Sequence, residues 1–167
     1  EEVNYAETAN AITDITRLRN DSDGYLDNVH TIRNAYGADL VAMIVESMSG
    51  FCGKAFIMDA LTPAFEKDAF SVTRRDCIGG YTFKHEIGHN LGCDHDRDNP
   101  STDRLYSYSW GHRFTSVSGT NRTVMALSPG TRILYFSNPA ISYQGVPAGI
   151  DIGETNEAHN AATISAS

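Results

Sequence analysis

The chain has 167 residues, 41% apolar and 20% charged, which suits one domain with a true core and is too apolar for an acidic disordered chain. Thirteen Lys and Arg against twenty-one Asp and Glu give a net charge of −8, which argues against nucleic acid or an anionic membrane surface as partner. The longest uninterrupted apolar run, Leu40 to Val45, is six residues and cannot span a bilayer. The chain opens Glu1-Glu2, without the basic start and apolar stretch of a signal peptide, so a secreted protein of this sequence would be a processed or trimmed form.

No repeat, low-complexity tract or linker rich in Pro, Gly or Ser is present. Tyr5 to Arg19 carries Ile12, Ile15 and Leu18 at helical spacing, with Ala6, Ala9 and Ala11 nearby, and reads as a helix. Asn20 to Gly24 is a turn cluster that also caps the next segment. Leu26, Val29, Ile32, Arg33 and Tyr36 give a second amphipathic helix, closed by Gly37. Asp39 to Glu46 reads as a short strand, its apolar residues bounded by charges and covered on both faces. Phe51 to Met58 and Phe70 to Arg74 read as two more strands around a loop containing Pro63. Ile78-Gly79-Gly80 breaks the chain before a third helix, Tyr81 to Leu91. From Cys93 to Gly149 the chain is rich in Asp, Ser, Asn, Gly and Pro with few periodic segments, and Glu154 to Ser165 is a candidate closing helix. The layout is a single domain, 1–167, with an α/β first half, 1–92, and an irregular second half, 93–167.

One stretch dominates: His85-Glu86-Ile87-Gly88-His89-Asn90-Leu91-Gly92-Cys93-Asp94-His95-Asp96. On a helix, positions i and i+4 share a face, so His85 and His89 project together and suit two corners of a tetrahedral zinc site. Glu86 stands beside the first ligand and can reach a water on the metal, as general base rather than ligand. Gly92 can take positive φ, end the helix and turn the chain, so that His95 returns as third ligand. Three protein ligands leave the fourth position open, which marks a catalytic zinc rather than a structural one.

The pattern H-E-x-x-H-x-x-G-x-x-H is the metzincin signature, and Asp96 directly after the third His resembles the adamalysin (reprolysin) branch. Astacins and serralysins have Glu or Pro there. The wider chain is similar to bacterial secreted adamalysin-like peptidases, among them the peptidyl-Asp metalloendopeptidases. The matching pieces are Ser22-Asp23-Gly24-Tyr25, Tyr36 to Leu40, Ala69 to Val72, the helix itself, and Tyr135 to Pro139. The resemblance implies a metzincin catalytic domain of α/β (α+β) class. Its twisted sheet would carry helices above the cleft, and its irregular lower subdomain a Met-turn and a C-terminal helix. It further implies a secreted, monomeric, bacterial zinc endopeptidase that hydrolyses protein or peptide substrates, with Glu86 taking the proton of the metal's water and passing it to the leaving amine.

By the same resemblance, Thr123-Val124-Met125-Ala126 is the Met-turn, with Met125 a floor for the histidines and not a ligand. Leu127 stands where astacins and serralysins have a Tyr that helps hold the metal and the oxyanion, which leaves zinc and backbone groups to stabilise the developing charge. The outer wall of the specificity pocket would follow Met125, from Leu127 to Phe136. Arg132, the only charge in that stretch, either favours an acidic residue after the cut or is a solvated loop residue. Metzincins carry more strands than the three or so that precede this active-site helix. The family's first strand, first helix and second strand are therefore expected to be missing.

Similar bacterial sequences place a Cys at the positions of both Cys52 and Cys77, so the resemblance implies a disulfide tying the sheet to the entrance of the active-site helix, and an oxidising compartment. Cys93 is expected to pack as a small apolar group. His30, His112 and His159 lack metal spacing and are expected on surfaces or helix faces. Asp94, Asp96, Asp98 and Asp103 invite a calcium reading, although the EF-hand glycine is absent. Asp96 reads instead as a group behind the metal ligands or as a buried partner of the second half. Asn20-Asp21-Ser22 and Asn121-Arg122-Thr123 match the glycosylation pattern, a short motif that arises often by chance. Two other functions stay open: a non-enzymatic binding module on the same frame, and a secreted structural domain whose zinc only stabilises the fold.

Overall fold

The computed structural model describes residues 3–101 and 103–167; Glu1, Glu2 and Thr102 lie outside them. The chain divides into two units, Glu1–Phe56 with Pro63–Asn90, and Ile57–Thr62 with Leu91–Ser167.

In the first unit, helix α1 (Ala11–Arg19) starts later than the spacing from Tyr5 indicates. Ala9 is left-handed at φ 56, and the Asn10 side chain accepts the N–H groups of Ile12 and Thr13. Tyr5 and Thr8 donate to Asp14, a carboxylate buried in the first turn. The cap and this buried acid hold the preceding residues out of the helix. Ala11, Ile15 and Leu18 face the core, whereas Ile12 is 58% exposed. Helix α2 (Asp27–Tyr36) ends at Gly37, left-handed at φ 61, where the glycine signal places its end.

Strands β1 (Val41–Val45), β2 (Gly53–Ala55) and β3 (Phe70–Arg74) form a sheet in the order β1-β3-β2. β1 is parallel and β2 antiparallel to β3. The apolar run around β1 is therefore an edge strand of this sheet and is not covered on both faces: Met43 and Val45 are buried, while Ile44 between them is 51% exposed. The strand enclosed on both faces is the central one, β3, buried from Phe70 to Thr73. The expected strand from Phe51 to Met58 keeps only Gly53–Ala55.

Alternation sorts the two faces of the sheet. Phe70 and Val72 join Met43, Val45, Ile15, Leu18 and Leu26 in the core on the α1 side. Each large side chain buried there contributes about 1.5–3 kcal/mol. Ser71 and Thr73 point to the other face, as do their antiparallel partners Ala55 and Gly53. These four small residues make a shallow floor on which helix α3 (Thr82–Asn90) packs. Asn90 anchors the far end of α3 by donating to Phe56 O (2.9 Å) and Phe70 O (3.1 Å). Cys52 and Cys77 are joined by a disulfide, which ties the entrance of β2 to the 3-10 turn Arg75–Gly80 that leads into α3.

The second unit is more regular than its composition indicates. β4 (Arg113–Ser116) and β5 (Gly119–Arg122) form a hairpin, with β6 (Thr131–Arg132) beside β5. β7 (Asn138–Tyr143) and β8 (Val146–Ala148) form a second hairpin around Gln144 and Gly145, both at positive φ. Strands this short show no periodicity, which is why the stretch reads as irregular. Helix α4 (Asn160–Ala166) is shorter than the Glu154 to Ser165 segment. Ile150 and Ala158 form a β-bridge ahead of it, and His159 caps it by accepting Ala162 N–H at Nδ1 (3.1 Å). Among the described residues, no helix is long and apolar enough to cross a membrane.

Candidate metal centre

Tyr81 is left-handed at φ 66 and closes the 3-10 turn, so α3 starts cleanly at Thr82. At 3.6 residues per turn, α3 presents two adjoining stripes. Thr82, Glu86 and Asn90 share the stripe that faces the sheet, and His85 and His89 share the next. All five are buried. The two imidazoles meet edge-on, with planes 88° apart and Nε2 atoms 3.1 Å apart. Two nitrogens bound to one tetrahedral zinc at about 2.0–2.1 Å stand about 3.3 Å apart. The helix alone thus brings the pair near the spacing of two ligands.

Gly92 turns the chain at φ 82. A Cβ there would lie 2.5 Å from the Leu105 Cβ, so space as well as backbone excludes a side chain. His95 N–H donates to Asp94 Oδ1 (2.7 Å), and His95 Nδ1 faces Ser101 Oγ at 3.4 Å. Burial holds the His95 pKa below its ordinary value, against the pull of Asp94. The ring is then neutral at neutral pH, as a ligand must be. Within this one continuous stretch, His85, His89 and His95 each offer a nitrogen, and these nitrogens lie within 4.8 Å of one another. Three imidazoles without a thiolate are a donor set that fits zinc with one position left over.

Glu86 lies beneath β2. A Cβ built on Gly53 would stand 2.5 Å from Glu86 Oε1 and 2.7 Å from its Cδ. Glycine at the first residue of β2 therefore makes room for the carboxylate. No local pattern in the sequence marks Gly53; its significance exists only once β2 and α3 are packed together.

In the second unit, Asp96 gathers four donors. Its Oδ2 accepts Leu127 N–H (2.8 Å), and its Oδ1 accepts Asn99 Nδ2 (2.9 Å), Arg113 Nη2 (2.8 Å) and Asp98 N–H (3.2 Å). Burial works to raise this carboxyl, but the Leu127 and Asn99 hydrogen bonds and the Arg113 charge outweigh it and hold Asp96 below its ordinary value. Met125 sits in the tight turn 123–126, closed by Ala126 N–H on Thr123 O (3.1 Å), and is buried with Cys93 and Val124. Leu127 and Arg132 are half-buried. The Arg132 charge reaches His95 and opposes its protonation. Burial pushes the Cys93 thiol far up, so it stays neutral and donates to Asn160 O (3.7 Å).

The other candidates serve the fold. His30 meets Leu18 O (3.0 Å), His112 stacks on Phe114, and His159 caps α4. Asp94 accepts the N–H groups of His95 and Ser101, and Asp98 pairs with Arg113 (2.9 Å). Asp103 is exposed. Asn121 of the second glycosylation pattern is buried.

A profile of the reprolysin-like metallopeptidases, family M12B, matches residues 2–96. The peptidyl-Asp metalloendopeptidases of two strains of Stenotrophomonas maltophilia are 41% and 39% identical over 162 and 154 residues. The alignments cover 94% and 89% of this chain and 38% and 36% of those proteins. The peptidyl-Asp metalloendopeptidase of Xanthomonas campestris pv. campestris is 40% identical over 153 residues, 89% of this chain and 35% of that one. The chain thus spans little more than a third of the length of these relatives. A solved structure described as a chaperone–substrate complex matches 95% of this chain and 23% of its own with a TM-score of 0.63. At 24% identity, that likeness is one of fold.

Proposed function

The chain belongs to the reprolysin-like metallopeptidase family, and from that premise we propose that it is the catalytic domain of a secreted zinc endopeptidase acting on proteins. The observation that carries the reading is the convergence of three imidazoles within 4.8 Å, with a buried carboxylate, Glu86, next to the first of them on the same helix. His85, His89 and His95 would hold the zinc. When bound, zinc supplies Lewis acidity that draws the pKa of the attacking water toward neutrality and polarises the scissile carbonyl.

Glu86 takes the water's proton and hands it to the leaving amine. Gly53 and the sheet behind it keep that carboxylate from swinging away. The turn 123–126 is the Met-turn, with Asp96 holding the next residue, Leu127, by its N–H. The Cys52–Cys77 disulfide supports an oxidising, extracellular setting. Arg132, whose charge is felt at His95, favours an acidic residue after the cut, in line with the peptidyl-Asp name of the relatives. Sequencing the cut sites reads that preference directly.

Glu86→Gln tests the mechanism. The variant is expected to keep its zinc and lose nearly all cleavage. Full cleavage by Glu86→Gln would remove the general base from the mechanism.

A further inference from the structure

We propose that Thr73 is a positioning residue for Glu86, holding the carboxylate from the sheet side through one buried water; this rests on the reading of Glu86 as general base. Both residues lie in the first unit. Gly53 of β2 stands opposite Thr73 of β3. The hydrogen bonds Arg74 N–H to Cys52 O (2.8 Å) and Phe56 N–H to Phe70 O (3.5 Å) fix the ladder's phase on either side. That phase makes Gly53 and Thr73 a non-hydrogen-bonded pair, the kind in which facing side chains come closest. A Cβ on Gly53 would meet Glu86 Oε1 at 2.5 Å, so the carboxylate occupies the space that a side chain opposite Thr73 would fill. Cβ atoms of such a pair are about 4.5–5.5 Å apart, which puts the carboxylate within about 8 Å of the Thr73 Cβ. One water, bonded at about 2.8 Å on each side, spans that gap.

The second observation is independent of the register. Thr73, Ser71 and Asn90 are each 1% exposed. Thr73 Oγ1, Ser71 Oγ and Asn90 Oδ1 are buried without a direct hydrogen-bond partner. Ser71 shares the sheet face of Thr73, and Asn90 lies one turn beyond Glu86 on the same stripe of α3. Three buried polar atoms without a direct partner, two hydroxyls and an amide oxygen, lie along this one seam, and a native interior satisfies such groups with ordered water. They are what an ordered water needs, since it makes about three hydrogen bonds. Valine would fill the site of Thr73 with the same shape and no polar atom, so the hydroxyl is there to bond. Proton transfer depends on the alignment of the carboxylate, and a water held by Thr73 adds a fixed partner from the sheet side.

The test compares wild type with Thr73→Val and Thr73→Ser, each assayed for zinc content, for kcat and KM on a fluorogenic peptide, and for thermal unfolding of the metal-free chain. The expected result for Thr73→Val is full zinc content, kcat down about tenfold or more, and unchanged KM. Its Tm should fall by about 2–4 °C, because the bridging water loses a partner. Thr73→Ser should restore kcat to within about threefold of wild type. A Thr73→Val chain with wild-type kcat, a raised Tm, or a Thr73→Ser chain as slow as Thr73→Val would overturn the inference. If Thr73→Val does not fold, Thr73→Ala is read against Thr73→Ser, which differs from it by the hydroxyl alone, with the same outcomes. A wild-type chain without chelator-sensitive cleavage would overturn the general-base reading and this inference with it. An active wild type with an unaffected Thr73→Val would overturn this inference alone.

Discussion

Replacing Gly53 by alanine sets a methyl carbon 2.5 Å from Glu86 Oε1 and 2.7 Å from its Cγ and Cδ. Ordinary contacts lie at about 3.5–4.0 Å, so something must move by about 1 Å. Strand β2 is poorly placed to yield. Its ladder to β3 holds it along its length, and the Cys52–Cys77 disulfide holds its entrance. The carboxylate, at the end of a side chain, moves first. A misplacement of about 1 Å costs on the order of 10²-fold in rate, which is about 2.7 kcal/mol in barrier. Overpacking costs about 1–3 kcal/mol of stability, a Tm lower by roughly 3–10 °C. Zinc content, thermal unfolding and kcat/KM on a fluorogenic peptide separate these effects. The expected Gly53→Ala protein is folded, carries its full zinc, and cleaves about 100-fold more slowly. A folded Gly53→Ala protein within about threefold of wild-type kcat/KM would refute the packing of Glu86 beneath β2.

Cys52→Ser with Cys77→Ser opens a loop of 25 residues, for which chain entropy gives a loss of about 3.5 kcal/mol; a urea titration showing less than about 1 kcal/mol would contradict it. Asp96→Ala takes one of two carboxylates from Arg113, 18% exposed and still paired with Asp98, and removes the acceptor of the Leu127 N–H, and should cost about 1–3 kcal/mol in the same assay. An Asp96→Ala chain with an unchanged midpoint would show that these bonds stabilise nothing. Burial holds His112 below its ordinary value of about 6.5, where it lines a pocket with Asp96, Arg97, Asp98 and Arg113. The unfolded chain then takes up that proton more readily than the folded one. Stability from this group is present above about pH 6.5 and is lost as pH falls from there toward the lower folded value. The urea midpoint should therefore drop less steeply with acid in His112→Asn than in wild type, and parallel curves would rule His112 out.

What could be read in the sequence is what depends on neighbours along the chain. His85 and His89 converge because a helix repeats every 3.6 residues, and Gly92 turns the chain because it alone accepts φ 82 without strain. The end of α2 at Gly37 has the same local cause. The start of α1 does not follow from its apolar spacing, because Asn10 and the buried Asp14 decide it, and a carboxylate with 0% exposure looks like any surface acid in the sequence. The run from Leu40 to Val45 reads as fully covered, yet whether a strand is central or at an edge depends on partners far along the chain. The pairing of Gly53 with Thr73 across the sheet is of the same kind. Nothing local sets these two apart from any other glycine and threonine. Only the sheet register and the seat of α3 place both beside Glu86.

Metal content measured together with casein cleavage, with and without a chelator, bears most directly on the proposed function. It predicts about one zinc per chain and cleavage that the chelator abolishes and added zinc restores. A folded chain that binds no zinc, or one whose cleavage persists in the chelator, would contradict it.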